Sequence, residues 1–559
     1  MSTLPSVELT QAGPGNSSSR RAWLFIVMLT AALTGISTFQ SLRRYQELRS
    51  GWSWDLAYYN QWFWALTQGD GVVTVRPVSA YAQEGPSIWK MNYLAPIRLA
   101  LAPFCWIAPD PRILIAIQNV MFWWVVPAAY VLVRSESRSE SVALSATALV
   151  PLTPLFWPLV LNDFRELQLV GAFVLWAVQG VRSRSPGLSA LGIAGMLACR
   201  QEFAVMVATF AFLPPREPES LSVTLRWRRG TLLVGLFWLF FGFFGYLRFM
   251  VGRGAPDEFI DQFFGPKASL IETLQTSFET LLLGMGAWAL LASLAPRVAL
   301  LALPWIWGLC SGRWAMRFLS SGDWHHVRYV VPAVVMILAA GLIGYARLGT
   351  WLLPRRGGRL GLALVWAVAA AFCGVGLHDV SARLADVPVT IDRAESEQIW
   401  SWIRQVGPGD AVIADYEVSA PLSSRPQLYS YILDANLPKG FPQLAPEFHW
   451  LFIRNDYGYL KILLDQGFEV VHRGKYLTIA RRGVANLARN SDFFDFARTR
   501  TLDKMSTVRN ARRSWYLETN RDALADVDPK YSDLRLKERS GASPGHIDVS
   551  GARMDPMTR

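Results

Sequence analysis

Charge is what this chain has least of. Only 18% of its 559 residues are Asp, Glu, Lys or Arg, against 52% hydrophobic and 24 tryptophans. Soluble domains carry about a quarter charged residues, so the composition excludes an ordinary soluble enzyme and indicates an integral membrane protein. Cysteine is scarce as well. Cys105, Cys199, Cys310 and Cys373 fall in or beside apolar runs, with no CxxC and no Cys/His ligand spacing, so neither a disulfide framework nor a zinc site is indicated. No internal repeat is visible. A clear small-x-small cleavage site is also missing after the apolar run of "GNSSSRRAWLFIVMLTAALTGISTF", which therefore reads as an uncleaved signal anchor.

What is present is apolar length. A bilayer needs about 20 apolar residues per helix, and on that criterion about eleven spans are expected. They lie near residues 22–40, 112–133, 141–161, 166–181, 187–199, 203–213, 231–251, 276–295, 297–310, 327–346 and 359–377. Basic residues orient them, because cytoplasmic loops retain Lys and Arg. Starting inside with Arg20 and Arg21, alternation puts the arginine-bearing segments 134–140, 182–187, 214–230 and 346–359 in the cytoplasm. The net charge of +12 is thereby explained by topology, and nucleic acid is not expected as a partner.

An odd number of crossings puts the C-terminal part outside, at the plasma (inner) membrane of the cell. The organisation expected is a cytoplasmic tail (1–21), a transmembrane region (22–378) with a first external loop (41–111), an extracytoplasmic α/β domain (379–484) and a polar tail (485–559) lacking the apolar residues to fold. Within the external domain, "SEQIWSWIRQV" and "YLKILLDQG" have helical spacing, "DAVIADYEV" and "WLFIRND" read as strands, and "FEVVHRGKYLTIARR" as a closing hairpin. The fold class is thus an all-α polytopic bundle with a small α/β domain.

With orientation fixed, the charges at span ends sort to one side. Asp55 and Glu84 in the first external loop, Asp163, Arg165 and Glu166 in "NDFRE", Arg200 and Glu202 in "CRQEF", and His325, His326 and Arg328 in "GDWHHVRYVVP" all fall on the outer face. Ionisable residues in a membrane are retained chiefly where they pair or act. Interfacial ion pairs tying helices together are the plain alternative, and they should be scattered over both ends.

Asp55 opens "WDLAYYNQWFWAL", where Asp55, Tyr58, Tyr59 and Trp62 share a helical face. One reading is an amphipathic helix lying in the interface with an aromatic belt. The other is a general base whose apolar surroundings raise its pKa, with Tyr58, Tyr59 and the tryptophans seating a lipid-borne substrate. Gln61 and the external domain would help select an acceptor. Adjacent histidines on a helix point about 100° apart and make a poor bidentate metal site. A phosphate clamp with Arg165, Arg200 and Arg328 is chemically easier. No cofactor is indicated, and a divalent metal stays open.

"WDLAYYNQWFWALTQGDG", "NYLAPIRLALAPFCWIAPDPRILIAIQNV", "NDFRELQLVGAFVLWA" and "ACRQEFAVMV" resemble successive motifs of a bacterial family of predicted membrane proteins without assigned function, itself related to the GT-C membrane glycosyltransferases. "GPGDAVIADYEVSAPLSSRPQLYSY" resembles that family's external domain. The chain departs from the pattern where Asn92 or Tyr93 and Arg165 replace histidines, and where Arg200, Gln201 and Glu202 replace Lys-Glu-Asp. The resemblance implies a GT-C-like fold, with Asp55 as the acidic residue of the first external loop acting on a sugar carried by a polyprenyl phosphate. A glycan, lipid or protein would be the acceptor. Two other classes stay open: a transporter or flippase of lipid-linked glycans, and a non-catalytic cell-envelope scaffold.

Overall fold

The computed structural model describes residues 16–49, 55–68, 76–77, 93–251, 282–306, 324–385, 391–430, 448–455 and 467–482, with residues 271, 275 and 278. Among the described residues, five helices are long and apolar enough to cross a membrane: Ser19–Gln46, Pro111–Ser137, Leu221–Met250, Val327–Leu352 and Gly358–Ala382. Shorter apolar helices, including Ile97–Ile107, Pro186–Cys199 and Phe203–Phe212, pack among them.

In chain order the elements that build the site are α1 (Asn16–Gln46), α2 (Asp55–Gln68), α3 (Ile97–Ile107), α4 (Pro111–Trp123), α5 (Val125–Ser137), α6 (Glu140–Leu149), α7 (Phe156–Val160), α8 (Gly171–Ser183) and α9 (Pro186–Cys199). The helix Val331–Leu352 is the axis of the bundle. Every residue from Val331 to Ala346 is buried, against α5, α6, α8 and the short helix Ala287–Ala292. A helix apolar all round has no wet face to present, so the protein encloses it. By contrast α1, Leu221–Phe240 and Gly358–Ala385 expose large side chains such as Leu24, Phe39, Phe237 and Leu364, as helices bordering lipid would.

The expected crossing at 141–161 is interrupted at its prolines. α6 stops at Leu149, a 3-10 turn spans Val150–Leu152, and α7 restarts at Phe156. A proline withholds its N–H and frees carbonyls in the preceding turn, so neighbours must satisfy the backbone. They do: Trp157 Nε1 donates to the Pro151 carbonyl (3.0 Å), and Leu155 N–H donates to the Gly284 carbonyl (3.0 Å). The break frees residues 161–170 to run as an irregular loop and a 3-10 turn (Glu166–Val170) inside the bundle.

The C-terminal part forms a six-stranded sheet in the order β1-β3-β2-β4-β6-β5. Its strands are β1 (Arg76–Pro77), β2 (Ala411–Ala414), β3 (Leu428–Ser430), β4 (Phe448–Arg454), β5 (Phe468–Arg473) and β6 (Leu477–Arg482). The β1–β3, β3–β2 and β2–β4 pairings are parallel, and β6 is antiparallel to β4 and β5. The helix at Arg393–Ile403, the strands at 411–414 and 448–454 and the closing hairpin fall where their patterns put them. Tyr416–Ser419, expected to continue a strand, is a short helix, and the edge strand β1 comes from the first loop. Of the helix expected over 459–467 all but Gly467 lies outside the described residues, as does the tail 485–559.

Candidate active site

The loop after α7 would be an awkward object in a bilayer, since its carbonyls lack helical partners. Side chains from two other helices pin it. Gln118 on α4 donates to the carbonyls of Val160 (3.3 Å) and Asn162 (2.8 Å), and its Oε1 accepts the Arg165 N–H (3.0 Å). Arg44 from the last turn of α1 donates to the Leu161 carbonyl (3.0 Å), and Gln168 donates to that of Leu159 (2.8 Å). This scaffold fixes the direction of Asp163, Arg165 and Glu166.

Asp55 occupies the first position of α2, where the helix dipole favours a carboxylate. It is buried, and Arg165 forks onto it: Nε reaches Oδ2 at 2.9 Å and Nη2 contacts Oδ1. Arg328, from the 3-10 turn Trp324–Val330, adds Nη1 to Oδ2 at 2.7 Å. Residues 55, 165 and 328 thus meet from three distant parts of the chain. The expected apolar cage around Asp55 is corrected: two guanidinium groups hold the carboxylate.

A second ionic cluster adjoins the first. Glu166 pairs with Arg98 of α3, whose guanidinium lies over the rings of Tyr59 (5.1 Å) and Trp62 (5.8 Å). Arg200 pairs with Glu202 at 2.6 Å and lies 3.7 Å over the Tyr93 ring, while Gln201 Oε1 accepts the Leu94 N–H at 2.8 Å. Arg200 is within electrostatic reach of Glu166 as well as Glu202. Tyr329 lies within electrostatic reach of Arg165 and Asp55.

α2 is not an interfacial helix. Leu56, Ala57, Tyr59, Asn60, Gln61, Trp62, Phe63 and Ala65 are buried with Asp55, which covers nearly every side of it. Its polar residues meet the C-terminal domain: Asn60 Nδ2 donates to Ser423 Oγ (2.8 Å) and Ser424 Oγ (2.9 Å), and Gln61 Nε2 to the Arg425 carbonyl (3.0 Å). Arg425 is buried beneath this contact, its side chain donating to the carbonyls of Leu422, Gly407 and Asp410. Burial pushes its pKa down to about 10, still high enough to keep it charged. Trp400 Nε1 also bonds the Gln46 carbonyl at the end of α1 (2.8 Å). The C-terminal domain therefore clamps the helix that carries Asp55.

Of the residues singled out in the sequence, Asp55, Arg165 and Arg328 form one cluster, and Glu166, Arg200 and Glu202 the next. Asp163 is buried on the pinned loop within electrostatic reach of Arg44. Tyr59 packs edge-on against Tyr58 (5.8 Å) and Phe164 (5.4 Å). Gln61 faces the C-terminal domain. Glu84 lies outside the described residues, as do the side chains of His325 and His326, whose backbone is in the 3-10 turn beside Arg328. Arg98 and Gln201 were not anticipated. Arg98 was legible as a lone charge in an apolar helix, "IRLALAPFCWI". Among the described residues no group of three or more His, Cys, Asp or Glu could hold a metal ion.

Ion pairs are not confined to this end. α8 starts beside Glu166 and reaches Arg182 about 17 Å further on, at 1.5 Å per residue. There Arg182 forks onto Glu136 (2.8 Å twice) and donates to the Pro214 carbonyl (2.8 Å), and Arg184 pairs with Glu219. The expectation that charges crowd one face is thus corrected, but the ion pairs at the two ends differ. Arg182 and Glu136 complete each other. At the Asp55 end the four residues Glu166, Arg200, Gln201 and Glu202 each keep a buried nitrogen or oxygen without a hydrogen-bond partner.

The profile of a family described as "Predicted membrane protein (DUF2079)" matches residues 44–476. The chain belongs to that family. No curated protein matches it by sequence. Among solved structures, ArnT from Cupriavidus metallidurans bound to undecaprenyl phosphate superposes with a TM-score of 0.51 at 11% identity, over 82% of this chain and 98% of ArnT. Apo ArnT gives 0.50 at 12% identity, over 84% and 99%. An oligosaccharyltransferase from Archaeoglobus fulgidus, in a complex with Zn and sulfate, gives 0.35 at 12%, over 76% and 68%. The DUF2079 chain is a membrane protein whose fold is similar to that of ArnT.

Proposed function

We propose that this DUF2079 protein is a glycosyltransferase that takes a sugar from a polyprenyl-phosphate donor and passes it to a hydroxyl of a glycan, lipid or protein acceptor at the extracytoplasmic face of the inner membrane. The eleven-span topology, with the N-terminus inside and the C-terminal domain outside, belongs to this reading. The observation that carries it is the buried Asp55 carboxylate between the guanidinium groups of Arg165 and Arg328. The fold shared with ArnT, solved with undecaprenyl phosphate, supports it.

Guanidinium is the natural partner of phosphate oxygens, and a phosphate entering this cluster competes with Asp55 for the same N–H groups. Donor binding would then draw Arg165 and Arg328 onto the phosphate and release Asp55. The free carboxylate accepts the proton of the acceptor hydroxyl as its oxygen bonds to the anomeric carbon. The anomeric C–O bond to phosphate breaks, its electron pair stays on the phosphate oxygen, and the phosphodiester monoanion leaves as a phosphomonoester with one further negative charge. The two arginines meet that charge in a site where water screens it little.

Two measurements test the proposal. Mass spectrometry of lipids from cells lacking the protein should show a polyprenyl-linked sugar accumulating, whose mass names the donor. In vesicles, Asp55→Asn should stop transfer from that donor; turnover retained by correctly folded Asp55→Asn would remove the assigned base.

A further inference from the structure

The pairs at the two ends of the bundle obey different rules, and the difference is informative. A buried polar atom nearly always has a partner, and leaving one without costs about 1–3 kcal/mol. Beside the Asp55 cluster such partnerless atoms include Glu166 Oε2, Glu202 Oε2, Arg200 Nη2 and Gln201 Nε2. Each belongs to a residue less than a tenth exposed. Arg200 pairs with Glu202 at 2.6 Å and is within electrostatic reach of Glu166, and Gln201 lies between Arg200 and Glu202 in the chain, so the four residues belong to one neighbourhood.

We propose that Glu166, Arg200, Gln201 and Glu202 form a subsite for a neutral, hydroxyl-bearing sugar, next to the phosphate position at Arg165 and Arg328. The chemistry of the four atoms selects the ligand. Two are carboxylate oxygens that only accept, and two are nitrogens whose hydrogens only donate. An ammonium group satisfies the oxygens and strands the nitrogens; a carboxylate or second phosphate does the reverse. A hydroxyl donates and accepts, so vicinal hydroxyls satisfy both kinds in turn. This deepens the proposed function and rests on it, assigning an uncharged sugar as the group transferred.

The test is direct binding to the full-length protein in nanodiscs. The probes are undecaprenyl phosphate and its glucosyl, glucosaminyl and glucuronyl phosphodiesters. The glucosyl lipid should bind at least about tenfold more tightly than undecaprenyl phosphate, one tenfold step being what a single well-made polar contact supplies. Glu202→Gln, checked for folding by gel filtration, should bring that ratio close to one. The wild-type comparison needs no variant to fold. Equal binding of the glucosyl lipid and undecaprenyl phosphate would overturn the subsite, with water satisfying the four atoms, and leave the phosphate reading intact. Preference for the glucosaminyl or glucuronyl lipid would overturn the assignment of a neutral sugar. Binding of none of the four would overturn the donor reading itself, and the subsite with it.

Discussion

Asp55→Asn does more than remove a base, because the carboxylate is the counter-charge of two guanidinium groups whose side chains are 9% and 3% exposed. Breaking a buried ion pair by removing one partner costs about 3–5 kcal/mol, since the remaining charge stays desolvated. The asparagine oxygen still accepts a hydrogen bond from one arginine, which keeps the loss near the lower end, about 3 kcal/mol. At a few degrees per kcal/mol for a large domain, the melting midpoint should fall by about 5–10 °C. Cys105, Cys199 and Cys373 are buried free thiols, so a thiol-reactive dye in detergent micelles reports the unfolding. Removing the stranded charge should repair part of the damage. Arg328→Met added to Asp55→Asn should melt above the sum of the two single losses, with a coupling of at least about 1 kcal/mol. Inorganic phosphate should stabilise Asp55→Asn more than the wild type by filling the place between the guanidiniums. A midpoint within about 1 °C of wild type, or strict additivity, would refute the ion-paired carboxylate.

Three further outcomes follow from the packing. Asn60→Ala removes two hydrogen bonds that tie α2 to Ser423 and Ser424, about 1 kcal/mol each, and should speed protease cleavage within residues 391–482 before the bundle melts; an unchanged cleavage rate would show that this clamp carries no weight. Arg182→Met leaves Glu136 buried without its partner, so it should destabilise by about 3–5 kcal/mol while the folded fraction binds undecaprenyl phosphate as the wild type does. Gly344→Ala would drive a methyl into the carbonyl oxygen of Leu291 and pry the axial helix from Ala287–Ala292, for about 1–3 kcal/mol or more in a thermal melt. A neutral result there would mean the two helices cross less closely than described.

Membrane class and the C-terminal sheet were legible because each rests on local pattern. Apolar length marks a helix that can sit in lipid, and alternation with turn residues marks strands such as 448–454 and the hairpin 468–482. The three prolines between 151 and 158 stand where the chain breaks and frees the loop of Arg165. Arg98 went unassigned because one charge at the start of an apolar helix carries no local sign of its partner. Its partner Glu166 lies 68 positions away.

By itself, then, the sequence determined that the chain belongs in a membrane, which residues carry charge near the ends of its apolar runs, and that Asp55 opens an aromatic helix. Only the tertiary structure decided what that charge meets. It set Arg165 and Arg328 on Asp55, turned Asn60 and Gln61 toward the C-terminal domain, and left partnerless polar atoms beside the site while completing the pairs at the far end. The physical reason is range. Hydropathy and helical period act over a few residues, whereas an ion pair is fixed by where helices distant in sequence come to rest against one another.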